Sequence, residues 1–231
     1  MHLGLKNRLR LISLLPILIL FSLASYYVYT SYVSFQSAKI LQARLEENKQ
    51  LNDLINNISR ERGMTVMYLG NASDTTLKSL KAQRSIVDQK IKAFDTSYTS
   101  AKTTAMIATL EKARHQSKPS VDNQTADFNE VFDNVYGKSQ TALIGELSSL
   151  ATLQVDDQVS AMENSYLSLV RANEHTSLER DYITYIISRG ITLEDKEINR
   201  WLSFIAKADA LNFDTILNKP LKDSLTSSLF S

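Results

Sequence analysis

From Leu11 to Val33 every residue is apolar, aromatic or hydroxyl-bearing, apart from Pro16. At ~1.5 Å per residue such a run makes roughly 34 Å of helix, enough to cross the hydrocarbon layer of a bilayer. The segment reads as a transmembrane helix over residues 11–33. Lys6, Arg8 and Arg10 stand directly before it, so the excess of positive charge keeps residues 1–10 in the cytoplasm and sends residues 34–231 outside. In a Gram-negative cell that places the anchor in the inner membrane and the bulk of the chain in the periplasm. Tyr26, Tyr27, Tyr29 and Tyr32 mark the outer interface, where amphipathic rings settle at headgroup level. A cleaved signal peptide with Leu11 to Ala24 as its apolar region is the competing reading. Against it, the apolar run continues through the tyrosines into a helical pattern without a break, and on either reading the bulk is exported.

The exported part reads as all-α. Six Gly and three Pro in 231 residues leave little punctuation for strands, and the good helix formers are plentiful. A net charge of +1 gives no basic face for phosphates, so no nucleic-acid partner is expected. The absence of cysteine excludes disulfides, thiolate metal sites and a thiol nucleophile.

Short breaks divide the chain into long helices. The first runs from the membrane to about Leu69 and stops at Gly70-Asn71, and Ser73 or Asp74 caps the second, over Thr75 to Tyr98. A third covers Lys102 to His115, ended by Pro119, since the residue before proline is pushed out of helical geometry. The fourth covers Asp122 to Leu153, with Gly137 and Gly145 weakening its continuity. The fifth opens at Asp156-Asp157 and closes at Gly190, and the sixth covers Thr192 to Leu211. A seventh begins in the last residues, and the sequence reads as a piece of a longer receptor. Long helices on short turns pack antiparallel into bundles.

Three of these helices show apolar residues at alternating steps of three and four, the mark of a buried seam, and each seam contains an arginine. The first reads Leu51, Ile55, Ile58, Arg62, Thr65, Leu69; the second Leu77, Leu80, Arg84, Val87, Ile91, Phe94, Tyr98. The fifth reads Val159, Met162, Tyr166, Leu169, Asn173, Thr176, Arg180, Ile183, Ile187. A guanidinium keeps its proton at any useful pH, so a buried one needs negative charge or several acceptors beside it. Internal salt bridges with Glu61, Asp88, Glu174 or Glu179 are one answer, partial exposure along the long side chain another. The third is a small anion held between helices, whose planar oxygens match the guanidinium fork.

Asn57-Ile58-Ser59-Arg60-Glu61-Arg62-Gly63, followed by Tyr68-Leu69-Gly70, resembles the first signature of the nitrate- and nitrite-sensing (NIT) domain family. Lys81-Ala82-Gln83-Arg84 with Asp88 resembles a further segment of it. Glu174-His175-Thr176-Ser177-Leu178-Glu179-Arg180 is similar to the second Glu-Arg signature, and Trp201-Leu202-Ser203 with Ala210-Leu211 to the helix that follows. The similarity runs from about Ala38 to Phe213; each motif is short, and their order and spacing carry the specificity. The resemblance implies two stacked four-helix bundles sharing long helices, with nitrate or nitrite between them. It implies ligand contacts from Arg62 and Arg180, then Arg60, with Arg84 as an anion contact or a brace of the bundle. It also implies a symmetric homodimer feeding a chemotaxis, cyclic-dinucleotide or histidine-kinase output. The chain departs from the family pattern at Ser59 (usually Gln), Ser177 (usually Gly) and Asp181 (commonly a small apolar residue). A carboxylate beside Arg180 can compete with an anion.

Nothing points to an enzyme or a bound cofactor. His175 and Glu179 share a helix face at metal-binding spacing, yet no second ligand cluster accompanies them. The three histidines have no nucleophile-elbow context, and no Gly-rich phosphate cradle appears. Trp201 and Phe204 read as core. Two rivals to the sensor reading remain: a helical-bundle receptor for another small ligand or a binding protein, and a membrane-anchored interaction protein.

Overall fold

A computed structural model describes the backbone of residues 5–94, 99–151 and 157–209, and the side chains of 14–94, 99–148 and 164–209. All regular structure among the described residues is helical: α1 (Leu5–Gly70), α2 (Asp74–Ala93), α3 (Ala101–Asp122), a π-helical segment (Glu130–Gly137) that runs directly into α4 (Lys138–Ala151), α5 (Asp157–Arg189) and α6 (Asp195–Ala208). The all-α expectation holds. The putting of a seventh helix after α6 falls outside the described residues.

The chain divides into two compact units, residues 1–46 and 47–231. Within the first, every large apolar side chain from Leu14 to Phe35 is exposed. Its helix is long and apolar enough to cross a membrane.

The second unit is a helical bundle with two apolar cores. Leu51, Leu54, Ile55 and Ile58 of α1 pack with Leu80 and Val87 of α2, Ile107 and Leu110 of α3, and Leu143 and Leu147 of α4 in the larger one. Burying each such side chain contributes about 1.5–3 kcal/mol. The smaller core joins Val66 of α1, Phe128, Phe132 of the π-helical segment, Tyr182 and Ile186 of α5, and Phe204 of α6. Arg200 fastens α6 there: its guanidinium lies 4.9 Å from the Tyr182 ring centroid and 5.6 Å from that of Phe132, and pairs with Asp133 at 2.8 Å. α1 and α5 each contribute to both cores.

The helix ends follow from local chemistry. Ser73 Oγ accepts from the Thr76 amide at 3.1 Å while Thr76 Oγ1 accepts from the Ser73 amide at 3.0 Å, a capping box that starts α2. Gly190 ends α5 with φ +65°, and the amides of Gly190 and Ile191 reach the Ile187 and Ile186 carbonyls at 3.1 and 3.0 Å, a Schellman closure. Gly70 serves packing rather than chain reversal: a Cβ there would stand 2.7 Å from Ser188 Cβ.

Three expectations need correction. The fourth helix does not begin at Asp122, which is the last residue of α3; the chain leaves helical geometry over residues 123–127, with Gln124 at φ 58°, and resumes at Phe128. α3 does not stop before Pro119 but continues to Asp122. Pro119 and His115 both lie on the exposed face, so water can serve the His115 carbonyl that the proline leaves without an amide. The inward face of α5 is one residue later than the apolar pattern suggests. Leu167, Glu174, Ser177 and Asp181 are buried, whereas Tyr166, Asn173, Thr176, Arg180 and Ile187 are exposed. One residue is about 100° of helix rotation, and the cation on α1 decides which face turns inward.

Candidate functional site

Arg62 is fully buried on α1, and its five N–H groups all have acceptors. Nε donates to Asp181 Oδ2 at 2.8 Å; Nη1 donates to Glu174 Oε1 at 2.5 Å and to Gln140 Oε1. Nη2 reaches Ser59 Oγ at 3.3 Å and Glu174 Oε2 at 3.5 Å. Gln140 is held in turn by donation to the Ile55 carbonyl at 2.8 Å. The Phe132 ring closes one side, its centroid 5.8 Å from Arg62 Cζ. Three elements thus converge: α1 brings the cation, α4 the amide, α5 two carboxylates.

Gly63 sets the approach of α1 and α5. A Cβ at this position would come 3.0 Å from Asp181 Oδ1 and 3.7 Å from Arg180 Nη2. With only hydrogen there, the Asp181 carboxylate sits against α1, and its two oxygens serve two different arginines. Oδ2 takes Arg62 Nε, while Oδ1 takes Arg180 Nη2 at 2.9 Å and Nε at 3.1 Å. The Asp181 side chain is 2% exposed and that of Arg180 61%, so the cluster runs from the interior to the surface.

Burial works against the charge of Arg62, but Glu174 and Asp181 more than offset it and hold the pKa above its ordinary value. Burial also raises the Glu174 carboxyl above its usual range, with Arg62 opposing. Counted as charges, Arg62 and Arg180 face Glu174 and Asp181, two of each sign.

Arg84 belongs to a separate cluster. Its Nη1 donates to Asp122 Oδ1 at 2.5 Å. Beside it Arg114 of α3 makes a paired contact with Glu61, Nε to Oε1 at 2.9 Å and Nη2 to Oε2 at 2.5 Å, and Nη1 reaches Asp88 at 3.0 Å. The Tyr136 hydroxyl donates to Glu61 Oε1 at 2.8 Å; burial, then Glu61, pushes its pKa far up, so it stays a donor. Arg60 lies two residues before Arg62 but on an exposed face of α1. Of the four arginines singled out from the sequence, the structure brings Arg62 and Arg180 together around Asp181. It sets Arg84 as a brace between α2 and Asp122, the end of α3, and leaves Arg60 on the surface. Internal ion pairing, one of the alternatives open from sequence, describes Arg62 and Arg84 in this state.

Sequence reasoning missed Gln140 and Arg114. Both carried a signal: Tyr136, Gln140, Leu143, Leu147 and Thr103, Ile107, Leu110, Arg114 repeat the spacing of the α1 seam. His175 does not join Glu179 in a metal site. Its Nδ1 is buried without a protein partner, Glu179 accepts from Trp201 Nε1 at 3.0 Å, and no cluster of three or more metal-binding side chains occurs among the described residues.

Comparison with curated proteins and with solved structures finds no match to this chain. The family model for nitrate and nitrite sensing (NIT) matches residues 53–229, a span that holds Arg62, Gln140, Glu174, Arg180 and Asp181. The chain belongs to the nitrate and nitrite sensing family, a family of sensors.

Proposed function

We propose that this chain is the extracytoplasmic sensor part of a membrane receptor. In this reading it binds nitrate or nitrite where Arg62 and Arg180 meet, without chemistry on the ligand. The observation that carries the reading is that two guanidiniums from different long helices converge on one planar oxyanion group, the Asp181 carboxylate, in a mostly buried place. Nitrate and nitrite present the same two-oxygen edge, and paired N–H donors suit it. Arg180, open to solvent, is the entry side; Arg60 stays on an exposed face of α1; Arg84 holds the bundle.

Transmission follows from α1, which is one helix from Leu5 to Gly70. An anion that prefers one packing of α5 against α1 shifts the population toward it, and residues 11–33, as the inner-membrane span, carry the difference across. The working receptor is a symmetric homodimer with its sensing unit in the periplasm.

The test is calorimetric titration of the full chain in detergent with nitrate and with nitrite. Saturable binding is expected, weakened at least tenfold in Arg180→Ala, with unchanged far-ultraviolet circular dichroism. No saturable binding of either anion up to millimolar concentration overturns the reading and favours a receptor for another ligand.

A further inference from the structure

Asp181 does more than balance charge. Its carboxylate is nearly sealed from solvent, spans Arg62 and Arg180 with one oxygen each, and fills the space that Gly63 leaves on α1. Glu174, the other acid of the cluster, grips Arg62 from a different side and does not touch Arg180 in these contacts. The two positive and two negative charges already cancel, so a monoanion added on top would bury an unbalanced negative charge, which is costly. An arriving anion therefore has to take the place of a carboxylate already there, and Asp181 is the one that bridges both arginines and reaches toward the exposed side.

We infer that Asp181 is a tethered competitor for the anion site. Its carboxylate occupies the ligand position in the empty sensor, must swing off Arg62 for an anion to bind, and so sets both the affinity and the preference for planar monoanions. The inference rests on the function proposed above, because it assigns the ligand to the same pair of arginines. It deepens that reading in two ways. The affinity of the wild-type chain is lowered by the fraction of molecules in which Asp181 holds the site. The site also selects by shape, since the group it holds at rest is a flat two-oxygen edge rather than a tetrahedron. No bond is made or broken in the exchange; a carboxylate leaves two guanidiniums for water as the anion takes them.

The experiment uses the full chain in detergent, comparing the wild type with Asp181→Ala and with Asp181→Asn, which keeps the shape and guards against a folding failure of the alanine variant. Nitrate affinity is measured by calorimetry and thermal stability by circular dichroism. Removing the competitor is expected to tighten nitrate binding at least tenfold in both variants, whereas a residue with a merely structural role would weaken it. Formate, which restores the missing carboxylate, is expected to return the melting temperature of Asp181→Ala toward that of the wild type. Perchlorate, tetrahedral with the same charge, is expected to leave it low. Binding in the wild type with equal or weaker binding in both variants overturns the inference and leaves the sensor intact. Equal recovery with perchlorate overturns the selection by shape. Absence of nitrate binding in all three chains, with no formate recovery, removes the sensor reading and the inference together.

Discussion

Arg62→Met tests whether the buried arginine is held by the two acids as the geometry has it. Methionine fills much the same volume, so the loss is mainly electrostatic. Asp181 keeps Arg180 at Oδ1, but Glu174 is left buried facing an apolar chain. Its pKa is already raised by burial, and loss of Arg62 removes the main force opposing that rise. The Glu174 carboxyl then takes up a proton on folding. From its ordinary value of 4.5, holding that proton at pH 7 costs about 3 kcal/mol, and at pH 5.5 about 1 kcal/mol. The sign follows from the direction of the shift: a group with a raised folded pKa favours the fold fully below its unfolded value and loses that contribution as pH rises through the folded value. The variant is therefore close to the wild type near pH 4.5 and falls behind it toward pH 7.5. Lost hydrogen bonds to Gln140 and Ser59 add about 1 kcal/mol at every pH. Urea unfolding of the full chain in detergent, followed by emission of Trp201, the single tryptophan, measures the gap. A gap that stays flat between pH 5 and 7.5, or is under about 1 kcal/mol at the upper end, refutes the reasoning.

Gly70→Ala is expected to destabilise the chain by about 1–3 kcal/mol through overpacking, because the new methyl lands on Ser188 Cβ; Ser188→Gly added to it should recover most of the loss in the same urea assay, and full retention of stability in the single variant would contradict the packing. His175 has its pKa lowered by burial and by Lys207, so its contribution is present above the ordinary value of 6.5 and lost as pH falls through the folded value. Between pH 7.5 and 5.5 the wild-type melting temperature should drop further than that of His175→Gln, and parallel curves would count against it.

The first helix was legible because the seam that carries its arginine is otherwise apolar save for Thr65: Leu51, Ile55, Ile58, Arg62, Thr65 and Leu69 are all buried at the predicted spacing. The fifth was misread for the complementary reason. The surface it turns to α1 is Glu174, Ser177 and Asp181, chosen by the cation opposite, while the apolar Ile187 stays in solvent. Hydrophobic periodicity cannot see a polar face whose partner lies 112 or 119 residues away in sequence. Arg114 lies inside the predicted third helix, but its seam of Thr103, Ile107 and Leu110 is too short and too little apolar to stand out. Asp181 was visible as a departure from the family pattern, and its bridging of two arginines emerges only when α1 and α5 are packed.

The π-helical segment ties chain length to the interior of the cluster. At its end the Lys138 amide bonds to the Asp133 carbonyl, five residues back, and Gly137 eases the crowding, since a Cβ there would stand 3.1 Å from the Phe132 carbonyl oxygen. Everything in α4 is phased by that surplus residue. Deleting one position between Glu130 and Gly137 would let the stretch relax into regular α geometry and turn the following helix by about 100°. Gln140 would then leave both Arg62 and the Ile55 carbonyl, and Leu143 and Leu147 would rotate out of the apolar layer. Arithmetic of residue number, rather than identity of any one side chain, keeps this wall of the arginine chamber in register.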